Sequence, residues 1–188
     1  MKAIVVYESM FGNTRHIADA VAEGLRQSID VETMVARDAV GLDLTDVQLV
    51  VAGAPTHALG LSRSNTRAAA LDATKHPDQL VESSSVRTGM REWLHGLPRQ
   101  YALRRGVAFD TRYDKPKVIT GSAAKVIQRG LRAAGFAGFG EPHSFLVDSM
   151  TGPLVAGEVE RARQWGEAMG RMLVGMNMAL ALPSRARL

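Results

Sequence analysis

Ala3-Ile4-Val5-Val6-Tyr7-Glu8-Ser9-Met10-Phe11-Gly12-Asn13-Thr14 is the stretch on which the fold turns. Its opening, Ala3-Ile4-Val5-Val6, is an apolar run of the kind that forms a short buried strand. Just beyond it, Ile17, Val21 and Leu25 recur every four residues with Ala18 and Ala22 beside them, the stripe of a core-facing helix. A small, hydroxyl-rich turn therefore joins the C-terminal end of a strand to a helix N-terminus. Such a junction presents free backbone N–H groups and the positive end of the helix dipole, which is the physical basis of phosphate binding. Ser9, Asn13 and Thr14 add side-chain donors, and Gly12 lets the backbone come close to a ligand. The bland alternative is a capped connection with no ligand.

Outward from this junction, strand and helix signals alternate, as in a parallel sheet covered on both faces. Asp30–Val35 reads as a second strand and Val47–Gly53 as a third, ending in the loop Ala54-Pro55-Thr56-His57-Ala58-Leu59-Gly60. Val86–Leu97 has helical spacing. Gly106–Phe109 reads as a fourth strand that opens into a loop, Asp110-Thr111-Arg112-Tyr113-Asp114-Lys115. Ser122 caps a helix closed by Gly135, Ser144–Val147 is a fifth strand, and Glu158 to about Leu173 is the last helix. Residues 1–174 form one domain in this reading. Residues 62–85, rich in Ser, Thr and Arg, form a mobile insertion whose first proteolytic cuts are expected at Arg63, Arg67 or Lys75. Residues 175–188 are a weakly patterned tail. Trp93, Trp165 and the set Met169, Met172, Met176 and Met178 read as packing residues. In a doubly wound sheet of this kind ligands sit outside the C-terminal ends of the strands. The three loops meeting there are 9–14, 54–60 and 110–115.

Composition narrows the function. The chain has 188 residues, 46% hydrophobic and 22% charged, enough for one domain with a sizeable core. No apolar run approaches the roughly 20 residues of a membrane span. No secretory leader is visible, and with zero cysteines the expected setting is a cytoplasm without disulfides, thiolate metal sites or thiol catalysis. The net charge of +4 suits an anionic partner, but 5% aromatic residues and no recognition motif argue against nucleic acid. No metal site is expected. The first strand ends in Tyr7-Glu8-Ser9 without the acidic pair by which a phosphoacceptor domain holds magnesium.

Taken together, the three loops resemble the flavodoxin-like family. Ser9 and Gly12-Asn13-Thr14 match that family's phosphate loop, with Met10 and Phe11 where members often carry small or hydroxyl residues. Pro55-Thr56-His57-Ala58 falls where the family lines one edge of the flavin ring, and Asp110-Thr111-Arg112-Tyr113 where it closes over the other. Gly121-Ser122-Ala123-Ala124 and Phe145-Leu146-Val147 followed by Gly152-Pro153-Leu154 look like flavodoxin-family proteins of actinobacterial type. The resemblance implies a five-stranded parallel sheet in the order 2-1-3-4-5, helices on both faces and an FMN cofactor. The first loop also lacks the Gly-x-Gly-x-x-Gly spacing of a dinucleotide site, which favours FMN over FAD.

Flavodoxins that carry electrons are typically acidic, whereas this chain is basic. The expectation is therefore an FMN-dependent oxidoreductase, taking electrons from NAD(P)H to a quinone-like or other small acceptor. The alternatives are a one-electron carrier serving a redox partner protein, and a flavodoxin-fold module that has lost its flavin. His57 is the candidate catalytic residue, since an imidazole can take either form near neutral pH. Arg112, Lys115 and His57 would place positive charge near a reduced ring, Tyr113 would stack on it, and Asp110 reads as a turn former.

Overall fold

The computed structural model describes residues 1–57, 60–64, 67, 88–99, 104–115, 121–149 and 151–181. In chain order these form β1 (Lys2–Tyr7), α1 (Asn13–Arg26), β2 (Asp30–Val35), β3 (Val47–Pro55), α2 (Met90–Gly96), β4 (Arg105–Tyr113), α3 (Ala123–Ala133), β5 (Ala137–Gly138), β6 (His143–Val147) and α4 (Glu158–Ala181). All strand pairs are parallel, in the order β2-β1-β3-β4, and both β5 and β6 pair with β4. β5 takes Arg105 and Gly106, while β6 takes Phe109 to Tyr113, so together they act as one split fifth strand. The doubly wound order expected from the sequence is the order observed.

The pleat explains why both faces are dry. Ala3 and Val5 pack into one core with Ile17, Val21, Leu25, Phe109 and Phe145, beneath α1 and α4. Ile4 and Val6 point the other way, into a core with Val50, Ala52, Met90, Trp93, Ile127 and Leu131 beneath α2 and α3. On the first face, α1 and α4 cross at backbone contact. A Cβ on Gly24 would lie 2.0 Å from the Arg163 carbonyl oxygen, and one on Gly166 would lie 2.2 Å from that of Val21. Only glycine allows that approach.

Several expectations are corrected. β4 does not open into a loop at Asp110, because Asp110 and Thr111 pair with Ala54 and Pro55 of β3 and the strand continues to Tyr113 against β6. The last helix runs to Ala181, well into the stretch read as a tail. Met172, Met176 and Met178 lie exposed along it, so of that methionine set only Met169 is core. Trp93 is buried as expected, its indole N–H donating to the Ala39 carbonyl at 3.2 Å. Ser62 and Arg67 are buried, which removes Arg67 from the expected cleavage sites. The rest of 62–85, apart from Arg63 and Ser64, lies outside the described residues, as do Val86, Arg87 and 182–188. No helix among the described residues is long and apolar enough to cross a membrane.

Candidate functional site

From β1 the chain turns to β2 on one side, and through β3 to β4 on the other. The reversal of strand order lies between β1 and β3, and the first loop sits at its C-terminal edge. Glu8 N–H donates to the Gly53 carbonyl at 2.9 Å, which ties the start of the loop to β3. Gly12 adopts φ 82°, a left-handed conformation that favours glycine, and swings the chain into α1. Its carbonyl accepts from His16 N–H at 3.0 Å, and Ser9 Oγ accepts from Arg15 N–H at 3.4 Å. The backbone N–H groups of Asn13 and Thr14 have no partner among the described residues, leaving two donors at the positive end of α1.

The side chains of this loop brace it from two directions. The Thr14 and Thr111 hydroxyls share a hydrogen bond of 2.7 Å, joining α1 to the end of β4. Asn13 Nδ2 donates to the Thr151 carbonyl at 2.9 Å, and a Cβ on Gly152, where φ is 106°, would lie 2.6 Å from that amide. Ser9, Met10 and Thr14 are buried, while Phe11, Gly12 and Asn13 are half-exposed. The loop therefore presents the backbone of 11–13 outward, backed by two hydroxyls on its inner wall.

In the second loop, Pro55 ends β3 and Thr56 N–H donates to the Thr111 carbonyl at 2.8 Å. His57 and Gly60 exchange both backbone hydrogen bonds at 2.8 Å, closing a tight turn. Ala58, expected in the site, lies outside the described residues. The half-buried His57 imidazole is pushed below its ordinary value near 6.5 by burial, with Arg67 pushing the same way and Glu8 opposing. It is thus mainly neutral at pH 7, which corrects the expectation that it brings positive charge to the site.

That direction has a consequence for stability. A histidine held neutral by the fold stabilises fully above its unfolded value, and the contribution is lost as the pH falls through the lower folded value. Denaturant midpoints should therefore fall on acidification below about pH 6.5. His57→Gln should flatten that part of the profile, and an unchanged profile would contradict the burial of the imidazole.

The third group is strand rather than loop. Asp110 is fully buried, and its Oδ2 accepts from Ser122 Oγ at 2.6 Å, Ala124 N–H at 2.9 Å and Thr56 Oγ1 at 3.1 Å. Thr56 Oγ1 in turn accepts from Ala123 N–H at 2.9 Å. Asp110 is therefore a connector between β4, the second loop and the N-terminus of α3, not a turn former. Arg112 turns its guanidinium to the carbonyls of Tyr113 and Lys115, away from the role of a free countercharge. The Tyr113 ring is exposed, with Lys115 Nζ 5.5 Å from its centroid.

Sequence reading missed a buried charge cluster beside the first loop. The Glu8 carboxylate is buried, accepting from the Ser62 hydroxyl and from Met90 N–H at 2.7 Å. Arg67 Nη1 donates to Ser62 Oγ at 3.0 Å, and Arg67 Nη2 lies 3.0 Å from Glu92 Oε2. Glu92 also accepts from Gly89 N–H at 2.8 Å. Burial works against its charge, but the Gly89 N–H and Arg67 hold its carboxyl below the usual range. A Cβ on Gly89 would lie 2.5 Å from Glu8 Oε2, so the backbone there is drawn tightly over the carboxylate. The one signal available beforehand was a carboxylate placed directly before the loop's hydroxyls.

Comparison with known proteins agrees with this geometry. A flavodoxin domain model matches residues 4–90, which carry the first loop, the second loop and the start of α2. No curated protein matches the chain. Oxidised flavodoxin 2 from Bacillus cereus superposes with a TM-score of 0.64 at 15% identity, over 92% of this chain and 99% of that one. A flavodoxin from the domain Archaea gives 0.58 at 18% identity, over 93% and 99%. A WrbA-like flavodoxin from Agrobacterium tumefaciens gives 0.57 at 18%, over 93% and 98%. Identities this low speak for the fold alone. With the domain matched over residues 4–90 and the 2-1-3-4 sheet, they give this chain a flavodoxin-like fold.

Proposed function

We propose that the chain is an FMN-binding flavoprotein that works as an oxidoreductase, passing electrons from NAD(P)H to a quinone-like or other small acceptor. The observation that carries FMN binding is the pair of N–H groups at Asn13 and Thr14, unpartnered among the described residues and held at a helix N-terminus by the left-handed Gly12. The fit is supported by Glu8. It is the carboxylate directly before the first loop, and both of its oxygens are taken up by Ser62 and Met90. Bound FMN would supply the redox chemistry. The chain's part is to hold the phosphate on 12–14, present Tyr113 and the 57–60 turn to the ring, and offer a neutral His57 that can accept or relay a proton.

The oxidoreductase reading leans on charge. The chain carries a net +4, unsuited to docking on the basic faces that acidic electron carriers use. The test begins with purified protein mixed with FMN and passed through gel filtration, where flavin absorbance should travel with the protein. Anaerobic NADH or NADPH should then bleach that absorbance, and a quinone should restore it. Loss of flavin on the column would sink FMN binding. Retained flavin that neither nucleotide bleaches would move the assignment to a one-electron carrier.

A further inference from the structure

We propose that Glu8, Arg67 and Glu92 form a positioning triad for His57, pinning the exit of the 57–60 turn to the start of α2 and setting the charge balance at the imidazole. The proposal deepens the flavoprotein reading and rests on it only for the use to which His57 is put. The geometry stands on its own.

Glu8 projects from the boundary between β1 and β3, where its own N–H is fixed to Gly53. From the turn closed by His57 and Gly60, the chain reaches Ser62 two residues later, and Ser62 donates to Glu8. On the far side, Met90 N–H returns to the other oxygen of the same carboxylate. One buried side chain thus fixes the exit from the turn and the start of α2. Arg67 closes the arrangement by bridging Ser62 to Glu92.

Stability alone is a weak reason for such a cluster. Glu8 and Arg67 are each 1% exposed, and a buried ion pair replaced by apolar groups of like volume is often no less stable. What the charges do is balance at the imidazole. Glu8 favours its protonation, while Arg67 and burial disfavour it. Two further charged groups near the turn, Arg91 and Asp110, are held by other partners. Arg91 donates to the carbonyls of Leu61 and Ser62 at 3.0 and 3.3 Å. Asp110 is held by Thr56, Ser122 and Ala124. Glu8 and Arg67 thus act on the imidazole with opposite sign, so removing either one alone shifts the balance at His57.

The test is an NMR pH titration of the His57 ring in the full chain without FMN, its signal identified by loss in His57→Gln, with FMN titrated into each variant in parallel. Glu8→Gln should lower the His57 pKa by about half a unit or more, and Arg67→Met should raise it by a similar amount. The double variant, lacking both charges, should return it close to the starting value. Should Arg67→Met fail to fold, Glu92→Gln decides. Its amide oxygen can still accept from Gly89, so the fold is kept while Arg67 loses half its compensation and His57 moves down. Shifts of the same sign in Glu8→Gln and Arg67→Met would overturn the proposal, as would an unmoved His57 in both Glu8→Gln and Glu92→Gln. The expected shifts in a protein that binds no FMN would uphold the triad and remove the flavin reading. FMN binding without the shifts would remove the triad alone.

Discussion

Removing both hydroxyls of the first loop, Ser9→Ala together with Thr14→Ala, is expected to weaken FMN binding by about 3–6 kcal/mol, the sum of two hydrogen bonds to a charged group. That is roughly two to four orders of magnitude in Kd. The magnitude follows from how the hydroxyls are used. Ser9 Oγ spends a lone pair on Arg15 N–H, which leaves its own proton for a phosphate oxygen. Thr14 and Thr111 share a single hydrogen bond between two hydroxyls, so one proton of the pair also remains. Thr111→Val separates the two roles of Thr14, since it removes the brace and keeps the hydroxyl, and it should cost less than Thr14→Ala. Quenching of FMN fluorescence on titration measures all of these. An unchanged Kd in the double variant would refute the phosphate-loop assignment.

How much of this was legible in the sequence depended on the range of the interaction that fixed each residue. The first loop was legible because strand, turn and helix cap are encoded within some twenty consecutive residues, from Ala3 to Leu25. The sheet was legible because a strand buried on both faces has to read as a continuous apolar run, as Val47 to Ala54 does. β4 misled for the opposite reason. Asp110, Thr111, Arg112 and Tyr113 look like loop residues, and only pairing with β3 on one side and β6 on the other keeps them extended. Glu8 was illegible because its partners Ser62 and Met90 lie 54 and 82 residues away, and Arg67 because it sits in a segment whose polarity suggests solvent. A polar stretch can be polar because it satisfies a buried charge. Ser62 and Arg67, at the start of the expected insertion, are such a case, and local composition cannot distinguish them from a solvated linker. α4 outran its expected end because Met172, Met176 and Met178 form a helix without packing, which a reading based on buried stripes does not register.

Asp110 offers the sharpest test of whether the second loop is built from the strand beneath it. Asp110→Ala is expected to cost about 3–5 kcal/mol of folding stability, because it strands the Thr56 and Ser122 hydroxyls and the Ala124 N–H, each worth about 1–3 kcal/mol when left unsatisfied. The loss is partly offset, since a buried carboxylate oxygen, Oδ1, has no hydrogen-bond partner among the described residues. The same imbalance predicts a milder Asp110→Asn. Its amide oxygen can accept from the three donors, and its NH2 group would stand in the row of Ser144, the register partner of Asp110 on β6. The substitution also removes a buried charge, one of whose oxygens has no hydrogen-bond partner among the described residues. Asp110→Asn should therefore lose less than about 1 kcal/mol. Both values come from denaturant unfolding at matched slope, with FMN affinity measured beside them. Asp110→Ala should also weaken FMN binding, because Thr56 is then held to α3 and to Thr111 but no longer to β4 through its side chain. An alanine variant as stable as the parent would show that the carboxylate does not organise the loop. Equal destabilisation by asparagine and alanine would show that its charge, rather than its reach between three elements, is what the fold requires.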